Sequence, residues 1–117
     1  MSEISIDELA DRLGTIAVLD VRTPSEYDGT AGSPCDPRQG HIPGARNVDI
    51  YRLMELDRTE IPGEIGIGEG AEIIAYCHTG ARSAIAVQML RALGYDARNY
   101  VGSWHEWSRH DDLPVEP

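Results

Sequence analysis

The feature that most constrains the fold of this 117-residue chain is an alternation of short apolar runs with helix-start signatures. Residues 16–21 and 72–76 are apolar runs of the length expected for buried strands. Capping boxes, in which a Ser or Thr stands three residues before a Glu, occur at 5–8, 23–26 and 103–106. Strands that alternate with helices predict an α/β domain with three layers, in which helices cover both faces of a central parallel sheet of four or five strands.

Weaker patterns complete this prediction. The further elements expected are strands at 45–48 and 95–101, a short helix capped by Asp49, a helix at 83–93, and loops at 29–44 and 57–70. The residues expected to reach the core from the two helices are Ile50, Leu53, Met54, Ile85, Val87, Met89, Leu90 and Leu93. Ligands of parallel α/β sheets bind beyond the carboxyl ends of the strands, so a functional site is expected there.

The charge balance argues against nucleic acids and anionic membranes as partners. The formal net charge is -10, which disfavours binding to nucleic acid or to an anionic membrane surface. No apolar run approaches the roughly 20 residues that a membrane-spanning helix needs, and the N-terminus lacks the features of a signal peptide. A cytoplasmic location is therefore expected, where Cys35 and Cys77 would remain thiols rather than form a disulfide.

Cys77 lies between the strand at 72–76 and the helix at 83–93, where a strand end meets a helix start. The intervening residues are His78, Thr79, Gly80, Ala81 and Arg82. A helix N-terminus offers free N–H groups and a partial positive charge, which favour a thiolate, and Arg82 adds a cation. Gly80 lets the backbone curl so that its N–H groups converge. These residues predict a nucleophilic cysteine rather than an inert buried thiol, and leave sulfur transfer, phosphoryl chemistry and thiol redox chemistry open.

Four groups of residues, in this order, carry a resemblance to a known family. They are 18–22 with 26–27, then 40–47, then 76–83, and finally 102–104 with 113–115. Together they resemble a single rhodanese domain, the fold of thiosulfate sulfurtransferases, over nearly the whole chain.

The resemblance implies one rhodanese domain over residues 1–117 and an enzyme that carries sulfur as a persulfide on Cys77. The thiolate would take the outer sulfur of thiosulfate or a related donor and pass it to cyanide or a cellular thiol. The residues expected to hold the persulfide are His78, Thr79, Gly80, Ala81, Arg82 and Ser83, with Arg82 as the electrostatic anchor. The resemblance implies no metal and no organic cofactor.

Three alternatives remain beside this reading. The first is a phosphatase or arsenate reductase on the same scaffold. It is disfavoured because the Cys-to-Arg loop of the similar cell-cycle-type phosphatases is one residue longer than the loop from Cys77 to Arg82. The second is a non-enzymatic rhodanese-like binding module, which usually lacks the cysteine. The third is a sulfur-relay subunit that exchanges persulfide with a protein donor or acceptor. Because His78 and Arg82 depart from the loop of mercaptopyruvate sulfurtransferases, the donor itself stays open.

Several other residues invite a functional assignment. Asp20, Arg22 and Arg46 are candidates for supporting residues 77–83, the active loop. For Asp20 and Arg22 the main expectation is an ion pair, with each other or with Glu26, that fixes the strand–helix corner. For Arg46 a solvated charge is an equal alternative. His41 is expected to bond loop backbone, and Cys35 to be an exposed thiol rather than a resolving cysteine. The remaining histidines, His78, His105 and His110, show no spacing typical of a zinc site with either cysteine.

Overall fold

A computed structural model describes residues 3–117 of the chain. The elements are α1 (Ile6–Arg12), β1 (Ala17–Asp20), α2 (Pro24–Tyr27), β2 (Arg46–Asn47), α3 (Ile50–Glu55), α4 (Ile61–Ile65), β3 (Glu72–Tyr76), α5 (Ala81–Ala92), β4 (Asp96–Asn99) and α6 (Ser103–Trp107). The four strands form one parallel sheet in the order β2-β1-β3-β4. The predicted α/β class and parallel sheet are confirmed. Strand ends differ from the predicted bounds by one or two residues, where pairing stops before the apolar pattern does.

The core lies in two clusters, one on each face of the sheet. Leu19 and Ile73 point to a cluster that includes buried residues of α3, α4 and α5. Their neighbours Val18 and Ile74 point to the other cluster, which includes residues of α1 and α6. Successive residues of β1 and β3 are therefore buried on opposite faces, which is why residues 17–19 and 73–76 are continuously apolar. Among residues 3–117, the structure contains no helix whose length and apolar character suit a membrane crossing.

Three parts of the helix prediction are wrong. Residues 61–65 form α4 within the segment predicted as loop, because Ile61 and Ile65 stand one turn apart on a buried face and Gly66 closes the helix at φ +68°. Met54 and Ile85 are exposed by 58% and 49% rather than packed in the core. On α5 the buried face instead contains Ser83, Ala86, Val87 and Leu90, and Ile85 lies off that face.

Candidate active site

Cys77 stands at the carboxyl end of β3, and the chain turns at once into α5. The helix begins at Ala81, two residues earlier than predicted, so Ala81 and Arg82 belong to its first turn rather than to the loop. Gly80 caps the helix at φ +96°, and a Cβ at this position would lie 2.7 Å from the carbonyl oxygen of Val101. Glycine is therefore required, because only its backbone fits this turn.

The sulfur of Cys77 faces hydrogen-bond donors. The Gly80 N–H donates to Sγ over 3.1 Å, and the Ser83 hydroxyl lies 3.4 Å from Sγ. Burial raises the pKa of the Cys77 thiol, but the Ser83 hydroxyl and the N–H groups of Ser83, Gly80 and Thr79 outweigh it, so that the pKa is lowered overall. The residue is only 1% exposed. The site thus stabilises a sulfur anion at a residue that is almost completely buried.

Asn99, at the end of β4, holds two of the residues that donate to the Cys77 sulfur, Gly80 and Ser83, and this role was not predicted. Its side-chain oxygen accepts a hydrogen bond from the Ser83 hydroxyl over 2.7 Å, and its amide donates to the carbonyl oxygen of Gly80 over 3.1 Å. Asn99 therefore ties the glycine cap to the serine that faces Cys77. An Asn at a strand end is too common to signal this role in a sequence.

Arg82 is paired with Glu26 of α2 and not bonded to the sulfur. Its guanidinium donates to the two carboxylate oxygens of Glu26 over 2.9 and 3.2 Å. Burial opposes ionisation of this carboxyl, but the bonds to Arg82 and to Thr23 lower the pKa of Glu26 to about 2. A guanidinium already paired with a carboxylate exerts a weaker field on Cys77, so the expected anchoring by Arg82 is reduced to a through-space contribution.

Asp20 and Arg22 form an ion pair below the site. Both side chains are buried, and the Arg22 guanidinium donates to Asp20 over 2.7 Å and to the carbonyl oxygen of Gly40 over 2.6 Å. It also lies 5.0 Å from the ring centre of Trp104. The pair joins β1 to the 29–44 loop and to α6, so it acts on the scaffold around the site and not on the sulfur.

Arg46 does not support the loop through any bond found in residues 3–117. Its side chain is exposed, and its guanidinium lies against Gly66, where a Cβ would come within 2.8 Å of Nη1. Of the two alternatives for Arg46, a side chain that faces the site and a solvated charge, the exposed position on the edge strand agrees with the second.

Ser103 supports the backbone behind Cys77. Its hydroxyl accepts from the Cys77 N–H over 3.1 Å and donates to the carbonyl oxygen of Tyr100 over 2.8 Å. Its φ of +55° is unusual for a residue other than glycine. The predicted capping box at 103–106 is wrong, because Gly102 is the N-cap residue and the Glu106 carboxylate accepts from the Tyr100 hydroxyl instead. The serine is thus used to hold the active segment rather than to cap α6.

The side chains of the other singled-out residues make no hydrogen bond to the sulfur among residues 3–117. His41 donates through Nδ1 to the carbonyl oxygen of Tyr27 over 2.8 Å, which is a structural contact, and Cys35 is exposed. Thr79 is exposed at the mouth of the loop and borders an open cavity. His78 turns to the buried carboxylate of Asp36, with 2.9 Å between Nε2 and Oδ2.

Comparison with known proteins adds to this geometry. The pattern of the rhodanese-like domain family matches residues 5–110. A thiosulfate sulfurtransferase of Azotobacter vinelandii is 40% identical over an alignment of 123 positions, which covers 96% of this chain and 45% of that protein. A protein of the same name from Pseudomonas aeruginosa is 40% identical over 92% of this chain and 43% of its own length. This chain therefore spans a little under half the length of these relatives.

Solved structures agree with the fold. The crystal structure of a probable thiosulfate sulfurtransferase superposes with a TM-score of 0.87 at 41% identity, over 99% of this chain and 48% of that chain. A variant of EanB in complex with ergothioneine superposes with a TM-score of 0.88 at 24% identity, over 98% of this chain and 28% of its own. At that identity the second likeness concerns the fold alone.

Proposed function

This chain belongs to the rhodanese-like domain family, and from that premise we propose that it is a sulfurtransferase working through a persulfide on Cys77. It moves a sulfane sulfur from thiosulfate, or a related small donor, to a thiophilic acceptor. The observation that carries this proposal is the set of donors at the sulfur, with the Gly80 N–H at 3.1 Å and the Ser83 hydroxyl at 3.4 Å. Such donors favour the thiolate, which is the nucleophilic form of cysteine.

The proposed reaction has two displacements. The Cys77 thiolate attacks the outer sulfur of thiosulfate; a new S–S bond forms, the S–S bond of thiosulfate breaks, and sulfite leaves with its electron pair. The terminal sulfur of the persulfide is negatively charged, and the N–H groups at the start of α5 supply donors for it. Cyanide or a thiolate then attacks that terminal sulfur, and the Cys77 thiolate is released with the bonding electrons. The two steps balance with no metal or organic cofactor.

The depth of the sulfur supports a small donor. Cys77 is 1% exposed, so that a linear or tetrahedral ion can reach the sulfur more readily than a folded protein surface can. Transfer from a protein persulfide is the alternative, in which a flexible cysteine-bearing segment of the donor protein reaches Cys77. The proposals that residues 1–117 act as one domain and that the protein works in the cytoplasm rest on the sequence.

Intact-mass spectrometry tests the central proposal. Incubation with thiosulfate should add one sulfur atom to the protein, and peptide mapping should place it on Cys77. The Cys77→Ala variant should lose both the added mass and thiosulfate:cyanide activity, whereas Cys35→Ala, in which the exposed thiol is removed, should keep both. Activity retained in Cys77→Ala would refute the assignment.

Two further assays distinguish the alternatives. If the chain accepts sulfur from a protein persulfide but gains no mass with thiosulfate, it is a relay subunit rather than a thiosulfate enzyme. If it hydrolyses an aryl phosphate at a rate that matches sulfur transfer, the anion cradle is a phosphatase site. We expect neither result, because the burial of Cys77 favours a small donor and the loop from Cys77 to Arg82 is shorter than that of the similar phosphatases.

A further inference from the structure

A buried carboxylate beside the active loop gathers three basic side chains. The Asp36 side chain is 1% exposed, and its Oδ2 lies 2.9 Å from Nε2 of His78. Its Oδ1 lies 3.6 Å from Nδ1 of His105 and accepts a hydrogen bond from Arg109 over 2.8 Å. These residues come from the 29–44 loop, the active loop and the end of the chain that contains α6. The proposed sulfur transfer uses none of these contacts.

We propose that Asp36, His78 and His105 form a binding site for a divalent transition-metal ion, with Zn²⁺ as the reference ion. Each residue offers one ligand atom, and the three atoms lie within 4.8 Å of one another. Two imidazole nitrogens and one carboxylate oxygen are a common ligand set for zinc and for neighbouring first-row metals. Three protein ligands leave a coordination position for water.

The close contact between Asp36 and His78 supports the proposal that both residues bind the same ion. Oδ2 of Asp36 and Nε2 of His78 are both shielded from solvent, and neither has a hydrogen-bond partner of proper geometry within residues 3–117. They are nevertheless only 2.9 Å apart. Ligand atoms in a tetrahedral site are roughly 3.3 Å apart when the metal–ligand bonds are about 2.0 Å long. A small separation of the two side chains is therefore enough to admit an ion between them.

The surroundings hold the three ligands in place and leave an entry. Arg109 donates to Oδ1 of Asp36 and to the carbonyl oxygen of His105, and so leaves Oδ2 for the ion. The His105 N–H donates to the carbonyl oxygen of His78 over 3.0 Å, which joins two ligand segments. His105 is half exposed and borders an open cavity of about 430 Å³. Because Arg109 is a cation, binding should be weaker than at a structural zinc site.

A bound ion would restrain the active loop, since His78 directly follows Cys77. This consequence rests on the proposed sulfur transfer, which the ion should slow by limiting movement of the segment that takes up the extra sulfur. Binding itself does not depend on that function, so the two are tested separately.

The test measures metal binding in a variant without thiols. In a Cys35→Ser, Cys77→Ser protein, Zn²⁺ is titrated by calorimetry and Co²⁺ by visible absorption, so that no thiolate can bind either ion. We expect one ion per chain. His105→Asn should raise the dissociation constant by about tenfold or more. His110→Asn, which removes an exposed histidine of the same cavity, should leave it unchanged.

The outcomes decide the proposal even if one variant is unstable. Circular dichroism checks the fold of each protein, and Asp36→Asn provides a second ligand variant. Absence of saturable binding in the thiol-free protein, or equal affinity in the parent and a folded His105→Asn variant, would overturn the site. Equal weakening by His110→Asn would also overturn it, because the ion would then bind the cavity and not this cluster.

Discussion

Replacement of Ser83 by alanine removes the hydroxyl 3.4 Å from the Cys77 sulfur and leaves the amide donors of α5 in place. A hydrogen bond to a charged group contributes about 1.5–3 kcal/mol. The same hydroxyl also donates to Asn99 over 2.7 Å, and one hydrogen cannot serve two acceptors at full strength, so the lower value applies. At about 1.36 kcal/mol per unit, the pKa of the Cys77 thiol should rise by about one unit in Ser83→Ala.

The assay is the rate of alkylation by iodoacetamide as a function of pH. A Cys35→Ser background makes Cys77 the reacting thiol. Ser108→Ala is the matched control, because Ser108 is equally buried and its hydroxyl faces the carbonyl oxygen of His105 instead of the sulfur. Its thiol pKa should equal that of the parent. Thermal unfolding of both variants shows whether they remain folded at the assay temperature.

Sulfur transfer should follow the ionisation. Below the thiol pKa, Ser83→Ala should have about tenfold less thiolate and a correspondingly lower rate with thiosulfate, whereas well above that pKa the two proteins should converge. An unchanged or lowered thiol pKa in a folded Ser83→Ala protein would refute the reasoning. The amides would then set the ionisation by themselves, and the Ser83 hydroxyl would serve Asn99 alone.

Three further substitutions test the scaffold by urea unfolding. Gly80→Ala should lower the free energy of unfolding by about 1–3 kcal/mol, because φ is +96° and the new Cβ meets backbone. It should also raise the pKa of the Cys77 thiol in the alkylation assay, and an unaltered thiol pKa would contradict the role of this turn. Glu26→Gln should cost about 1 kcal/mol at neutral pH, after allowance for solvent screening. The pKa of Glu26 is lowered to about 2, so the stability that Arg82 adds is present above the ordinary carboxyl pKa and lost as pH falls through about 2. If Glu26→Gln lowered the free energy of unfolding equally at neutral pH and at the acid end of this range, the result would argue against the pair. Asp20→Asn should cost about 3–5 kcal/mol, because Arg22 stays buried without its carboxylate; a cost below about 1 kcal/mol would contradict this.

Local patterns were sufficient for the fold class. The runs at β1 and β3 predict buried strands because each residue faces one of two cores, and the capping box at Thr23 is present as predicted. The same local information failed where burial depends on a neighbour. Ile85 is apolar yet exposed, because it lies off the buried face of α5. That face includes the polar Ser83, whose hydroxyl lies beside the Cys77 sulfur.

The sequence by itself determined the parallel α/β class and the place of Cys77 between a strand and a helix start, because periodicity, caps and glycines act over a few neighbouring residues. Only the tertiary structure decided the partners of that cysteine and its loop. Arg82 meets Glu26 across 56 positions, and Ser83 meets Asn99 across 16. Asp36 and His78 likewise come from separate loops. Such pairs depend on how the sheet order brings distant segments together, and no local spacing in the chain records that arrangement.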